Sequence, residues 1–214
     1  MILPQVIILS TQRSGTHLLE SFLASHPGIN GRGEMFLRLQ RSGIIENNVN
    51  GKINIGILMY DQIHIFKELG GNFFNHKIIH LLREPFAVAL SLLQMQADKK
   101  ETGANYKAHY QKTKLSDKKP NSFISQRGVL DITYLETLKD SILKEQEKHI
   151  EQLKSIYHLQ LRYEDLAPGN ETVEYLNAIT QGQLTSFLEL PSEPRIFHTA
   201  YLKTGINLPT GTNS

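Results

Sequence analysis

A few short stretches of this chain hold side chains whose types and spacing can do chemistry. In the first, Thr11-Gln-Arg13-Ser14-Gly15-Thr16-His17 follows the apolar run Val6-Ile-Ile-Leu9 and precedes the helical pattern Leu18-Leu-Glu-Ser-Phe-Leu-Ala-Ser25. A polar loop with one glycine between a strand and a helix start gathers unpaired backbone N–H groups and the positive end of a helix dipole at one point, which makes an anion site. Arg13 fits that reading, because a cation beside a positive dipole end is unfavourable unless an anion joins it. The plainer readings are a surface cation for Arg13 and simple helix caps for Ser14 and Thr16; capping is compatible with anion binding.

In the second stretch, Lys77-Ile-Ile-His-Leu-Leu-Arg83-Glu-Pro85-Phe-Ala-Val-Ala-Leu-Ser91, a strand runs into Arg83, a proline opens a helix in its first turn, and Ser91 falls about two turns along. A guanidinium so placed can grip a phosphate with two parallel hydrogen bonds, and a nearby hydroxyl adds a third. The alternative is a structural ion pair of Arg83 with Glu84 or Glu34. The third stretch, Gly31-Arg-Gly-Glu34-Met-Phe36, puts a carboxylate close behind the first helix, where it can also cap a helix or bridge Arg32. The first loop is not the Walker arrangement G-x-x-x-x-G-K-[ST]: only Gly15 is present, no lysine follows it, and the cation is Arg13.

The order Arg13-Ser14-Gly15-Thr16 after a strand resembles the 5′-phosphosulfate loop of sulfotransferases that use 3′-phosphoadenosine 5′-phosphosulfate (PAPS). The Arg83…Ser91 arrangement resembles their 3′-phosphate site, and the two motifs occur in the family's order. Glu34 is similar in placement to the catalytic base of bacterial sulfotransferases of the trehalose and nodulation-factor type. Leu161-Arg-Tyr-Glu-Asp-Leu166 matches a segment that the family shows after a late strand, so the resemblance spans residues 5–170. It implies that Arg13 stabilises the leaving phosphate, that Ser14, Gly15, Thr16 and His17 cradle the phosphosulfate, that Arg83 and Ser91 hold the 3′-phosphate, and that Glu34 accepts the acceptor's proton. It also implies PAPS as donor, adenosine 3′,5′-bisphosphate (PAP) as product, and no need for a metal, since arginine and the helix end can neutralise the charge. His17 is expected to contribute its N–H, its ring packed over the loop, with base catalysis by it the lesser reading. Relatives often carry a lysine near the second strand, where this chain has Ile57-Leu58-Met59.

The 214 residues suit a single domain, 1–214, with a sizeable core. With 23 basic against 21 acidic residues the chain is no polycation built to coat nucleic acid or an anionic membrane. Absence of cysteine removes disulfides, thiolate metal sites and cysteine nucleophiles together. The opening residues lack the basic head and cleavage site of a signal peptide, and no segment approaches the ~20 apolar residues of a membrane span, so a cytoplasmic protein without a membrane anchor is expected. His26, His80, His109 and His198 show no metal-ligand spacing.

The elements that must position these side chains alternate in type. Strands are expected at 6–9, 53–59, 78–82 and 157–161, and helices at 15–25, 34–46, up to Phe66, 86–97 and 133–155, the last with Asp131 as N-cap and apolar Leu135, Leu138, Ile142, Ile150 and Leu153. Two shorter helices follow. Such alternation predicts an α/β, P-loop-like three-layer fold, a central parallel sheet flanked by helices, with ligands at the carboxyl ends of the strands. Residues 98–130, rich in lysine with Tyr106, His109 and Tyr110, read as a basic loop or lid. The resulting expectation is a PAPS-dependent sulfotransferase acting on a hydroxyl of a glycan, glycolipid or polar metabolite, a possible homodimer with no nucleic-acid partner. The rivals are a non-catalytic PAP or nucleotide-binding module and a P-loop phosphotransferase of the kinase type; nucleic-acid binding through the 99–119 lysines is a weaker one.

Overall fold

In a computed structural model of the chain, residues 3–43, 48–102, 132–166, 175–191 and 197–198 are described. They form five strands and seven helices: β1 (Val6–Ser10), α1 (Thr16–Ala24), β2 (Ile29–Gly31), α2 (Met35–Ser42), β3 (Ile53–Met59), α3 (Ile63–Glu68), β4 (Lys77–Leu82), α4 (Pro85–Thr102), α5 (Ile132–Leu153), β5 (His158–Arg162), α6 (Tyr163–Leu166) and α7 (Ala178–Leu188). The strands make one sheet in the order β2-β3-β1-β4-β5, every pairing parallel. The α/β class and central parallel sheet expected from the sequence are thus present.

Two expectations change. The sheet has five strands rather than four: Ile29–Gly31 pairs with Ile53, Asn54 and Ile55 as an edge strand that is too short to show a period of its own. The helix after β4 continues to Thr102, so the expected basic lid does not begin at 98; its remainder and Asp131 lie outside the described residues.

β1 is buried over its whole length, because helices cover both faces of the sheet and both sets of alternating side chains meet apolar neighbours. On one face Ile8, Ile57, Ile79 and Leu161 pack with Leu19, Phe22 and Leu23 of α1 and Leu184 and Phe187 of α7. On the other, Ile7, Leu9, Leu58 and Ile78 meet Met35 and Phe36 of α2, Phe66 of α3 and Leu153 of α5. Leu58 therefore belongs to the core, and β3 turns no long cation toward the loops there. α5 packs on α4 through Leu135, Ile142, Val88 and Ala89. All strands being parallel, Arg13, Glu34, Arg83 and Tyr163 are gathered at one end of the sheet, just past the strands' carboxyl termini. Among the described residues no helix is long and apolar enough to cross a membrane.

Candidate active site

The loop after β1 turns on two residues with positive φ, Arg13 at 64° and Gly15 at 89°. A non-glycine residue in the left-handed region costs about 1–2 kcal/mol, and Arg13 is held there from both sides. Arg83 Nη1 donates to the Arg13 carbonyl at 2.7 Å, and Arg13 Nε donates to Ser91 Oγ on α4 at 3.0 Å. Gly15 is required for space as well as for φ: a Cβ there would lie 2.2 Å from Cδ2 of Tyr163. The Tyr163 ring thus lies directly on the loop, and the Arg83 guanidinium stacks on the same ring, 4.2 Å from its centroid. The sequence points to Arg13, Arg83 and Ser91; Tyr163 enters there only as part of the Leu161–Leu166 segment, with no role of its own.

Gly15 itself occupies the N-cap position of α1, and no side chain caps the helix. The capping alternative for Ser14 and Thr16 is not taken up, and the first-turn N–H groups of α1 remain available at the loop. Ser14 Oγ is fully buried without a hydrogen-bond partner, and Arg83 Nε is likewise buried without one. Leaving such a group unpaired costs about 1–3 kcal/mol. Two of them beside a free helix N-terminus and two guanidinium groups suit an anion whose oxygens would pair with them. Burial pushes the Arg83 pKa below the usual guanidinium range, and the nearby Arg13 adds to the effect. Among the described residues neither Arg13 nor Arg83 forms an ion pair with a carboxylate.

Arg83 therefore does not take up the ion pair with Glu84 or Glu34 left open by the sequence. Glu84 instead accepts from the backbone N–H groups of Phe86 and Ala87 and so caps α4. Ser91 accepts from Arg13 rather than from Arg83, which makes one cluster of the three residues with Arg13 at its centre. Gln146 of α5, unremarked in the sequence, donates from Nε2 to the Arg83 carbonyl at 2.9 Å.

Glu34 stands at the N-cap of α2 without capping it. Its Oε1 lies 3.0 Å from His17 Nε2, and His17 Nδ1 is 3.7 Å from Glu20 Oε2. The His17 ring is thus clasped between two carboxylates instead of packing over the loop. Burial alone would lower its pKa, but the bonds to Glu20 and Glu34 outweigh it and bring the value up to about 9. The same bond to His17 holds the Glu34 carboxyl below the usual range against its burial, with help from Arg41 and Arg38. At neutral pH this is a carboxylate beside an imidazolium. Glu20 also accepts the Gly33 N–H, fastening α1 to the segment that carries Glu34. Arg32 is buried and donates to Asn48 Oδ1 at 2.6 Å, while the Glu34 carboxylate pairs with His17.

Comparison with solved structures places this architecture. The sulfotransferase domain from the curacin biosynthetic pathway superposes with a TM-score of 0.51 at 17% identity, over 92% of this chain and 77% of that one. A sulfotransferase from Alicyclobacillus acidocaldarius gives 0.50 at 13% identity, over 92% and 89%. Mouse SULT7A1, solved in complex with PAP, overlays more loosely, with a TM-score of 0.48 at 15% identity over 88% and 59%. No protein-family model matches the sequence, and comparison with curated proteins found no match. At these identities the likeness to the first two establishes architecture: the chain has the α/β fold of sulfotransferase domains.

Proposed function

We propose that this chain is a PAPS-dependent sulfotransferase that moves a sulfuryl group onto a hydroxyl of a glycan, glycolipid or polar metabolite. The observation that carries the reading is the incomplete anion site: buried, partnerless Ser14 Oγ and Arg83 Nε, a free helix N-terminus and the Arg13–Arg83–Ser91 cluster, on the fold of sulfotransferase domains. The N–H groups of residues 14–17 and the Ser14 hydroxyl would hold the 5′-phosphosulfate, Arg13 would stabilise charge on the departing phosphate oxygens, and Arg83 with Ser91 would hold the 3′-phosphate. When bound, the donor supplies the sulfuryl group and leaves as PAP. A new bond forms from the acceptor oxygen to sulfur as the sulfur–oxygen bond to the phosphate breaks, and the hydroxyl proton passes to Glu34. His17 keeps Glu34 ionised and aimed, its Nε2–H facing Glu34 and its Nδ1–H facing Glu20.

The test is transfer of label from sulfur-35 PAPS to a panel of glycans, glycolipids and small polyols, with Glu34→Gln alongside. The expected result is transfer by the wild type, about 10²–10⁴-fold slower in Glu34→Gln at unchanged PAP affinity. Tight PAP binding without transfer to any member of the panel would favour a nucleotide-binding module, and equal rates in the two proteins would remove Glu34 as the base.

A further inference from the structure

α5 buries a face that is apolar at Leu135, Ile142 and Leu153 but polar at Gln146 and His149, each only 6% exposed. Burying an amide costs about 1–3 kcal/mol unless it is paired, so the partners of this residue say what the helix is fastened to. Gln146 donates to the Arg83 carbonyl at 2.9 Å. His149 stacks on Tyr60, 4.1 Å between ring centroids, at the end of β3. One buried face of α5 thus grips the loop ends of two strands that flank β1.

The contacts beyond Gln146 run in one direction. The Arg83 backbone, pinned by Gln146, carries the guanidinium that bonds the Arg13 carbonyl at 2.7 Å, and Arg13 in its left-handed conformation reaches Ser91 at 3.0 Å. Each bond fixes the residue that makes the next. We propose that Gln146 is the positioning residue of the anion site: through its bond to the Arg83 carbonyl, α5 sets where the Arg83 guanidinium stands and thereby holds the loop of residues 11–15 in its binding shape. Gln146 touches no ligand in this role; it acts through Arg83, much as outer groups orient the residues that make direct contact. The role rests on the anion-site reading of the preceding section but is independent of which anion fills the site.

The experiment is calorimetric titration with PAP and, separately, with inorganic pyrophosphate, in wild type, Gln146→Met, Arg83→Ala and the double variant, with melting temperatures recorded. Gln146→Met keeps the volume and removes the donor. We expect it to weaken both ligands about tenfold, at a melting temperature close to wild type, and to add less than twofold in the Arg83→Ala background, where no guanidinium remains to be positioned. Gln146→His, which restores an N–H, should recover most of the affinity and serves if the methionine variant folds poorly. Wild-type affinity in Gln146→Met, or the same loss with and without the Arg83 side chain, overturns the role. Pyrophosphate binding that depends on Gln146 without any PAP binding would sink the sulfotransferase reading and leave the positioning role standing; binding of neither ligand by wild type overturns both.

Discussion

The two ends of the sheet differ in a way that volume alone does not capture. At the amino ends of the strands lies a cavity of about 630 Å³, bordered by Phe73, Phe74, His76, Lys77, Tyr157 and Glu189. Its polar groups are satisfied locally: Lys77 Nζ reaches Glu189 and the Phe187 carbonyl, and the His76 ring bonds the Pro4 carbonyl. At the carboxyl ends the space beside the loop is smaller, about 190 Å³ next to Thr11, Gln12, Tyr60 and Glu145. Yet at this end of the sheet, outside the lining of that space, Ser14 Oγ and Arg83 Nε stay buried without partners and Arg13 is held at positive φ. Ser14 Oγ and Arg83 Nε, both buried without a protein partner beside the α1 N-terminus, single out this end although the hollow there is smaller.

Substitutions at the two ends should separate accordingly. Arg83→Ala removes a charged donor from the incomplete end and is expected to weaken PAP binding by about 100-fold at moderate salt; a loss under threefold by calorimetry would remove Arg83 from the anion site. Gly15→Ala places a methyl group against the Tyr163 ring at a φ that L-residues avoid. It should cost about 1–3 kcal/mol of stability and weaken PAP by roughly tenfold as Tyr163 and Arg83 shift, readable by denaturant melts and titration together.

The His17–Glu34 pair gives a subtler pH signature. The folded pKa of His17 is raised to about 9, above its unfolded value near 6.5. Its contribution to stability is therefore complete below about pH 6.5 and lost as pH rises through about 9. Wild type should lose stability over that window while His17→Asn does not; parallel curves would show that His17 is not held by the carboxylates. Smallest of all, Phe74→Ser at the opposite end, where the ring is 69% exposed, should leave PAP affinity within about twofold of wild type, a surface change far from the site. A larger loss would mean that the two ends are coupled.

What the sequence made legible followed from local signals. The apolar runs at 6–9, 53–59 and 78–82 announced buried parallel strands, and the loop–helix junctions after two of them announced Arg13 and Arg83. β2 was hidden because three residues after His26-Pro27-Gly28 carry no periodicity, only a pairing with β3. α2 ends at Ser42 rather than 46 because Gly43 takes up the left-handed C-cap at φ 67°, a stop that the glycine itself signals in the sequence. Gln146, His149 and Tyr163 were illegible for a different reason. Gln146 and His149 are buried polar residues and Tyr163 is a ring laid over a distant glycine, and the groups that justify them come from remote parts of the chain. The His17–Glu34 contact was likewise a matter of tertiary placement, which set the ring between carboxylates where local spacing suggested the loop.

The most direct measurement is a calorimetric titration of the wild-type protein with PAP beside ATP and Mg²⁺, repeated in Arg83→Ala. Micromolar PAP binding that falls by about 100-fold in Arg83→Ala, with ATP much weaker, is the predicted result. ATP bound as tightly as PAP, or no PAP binding at all, would contradict a PAPS site at the end of β1.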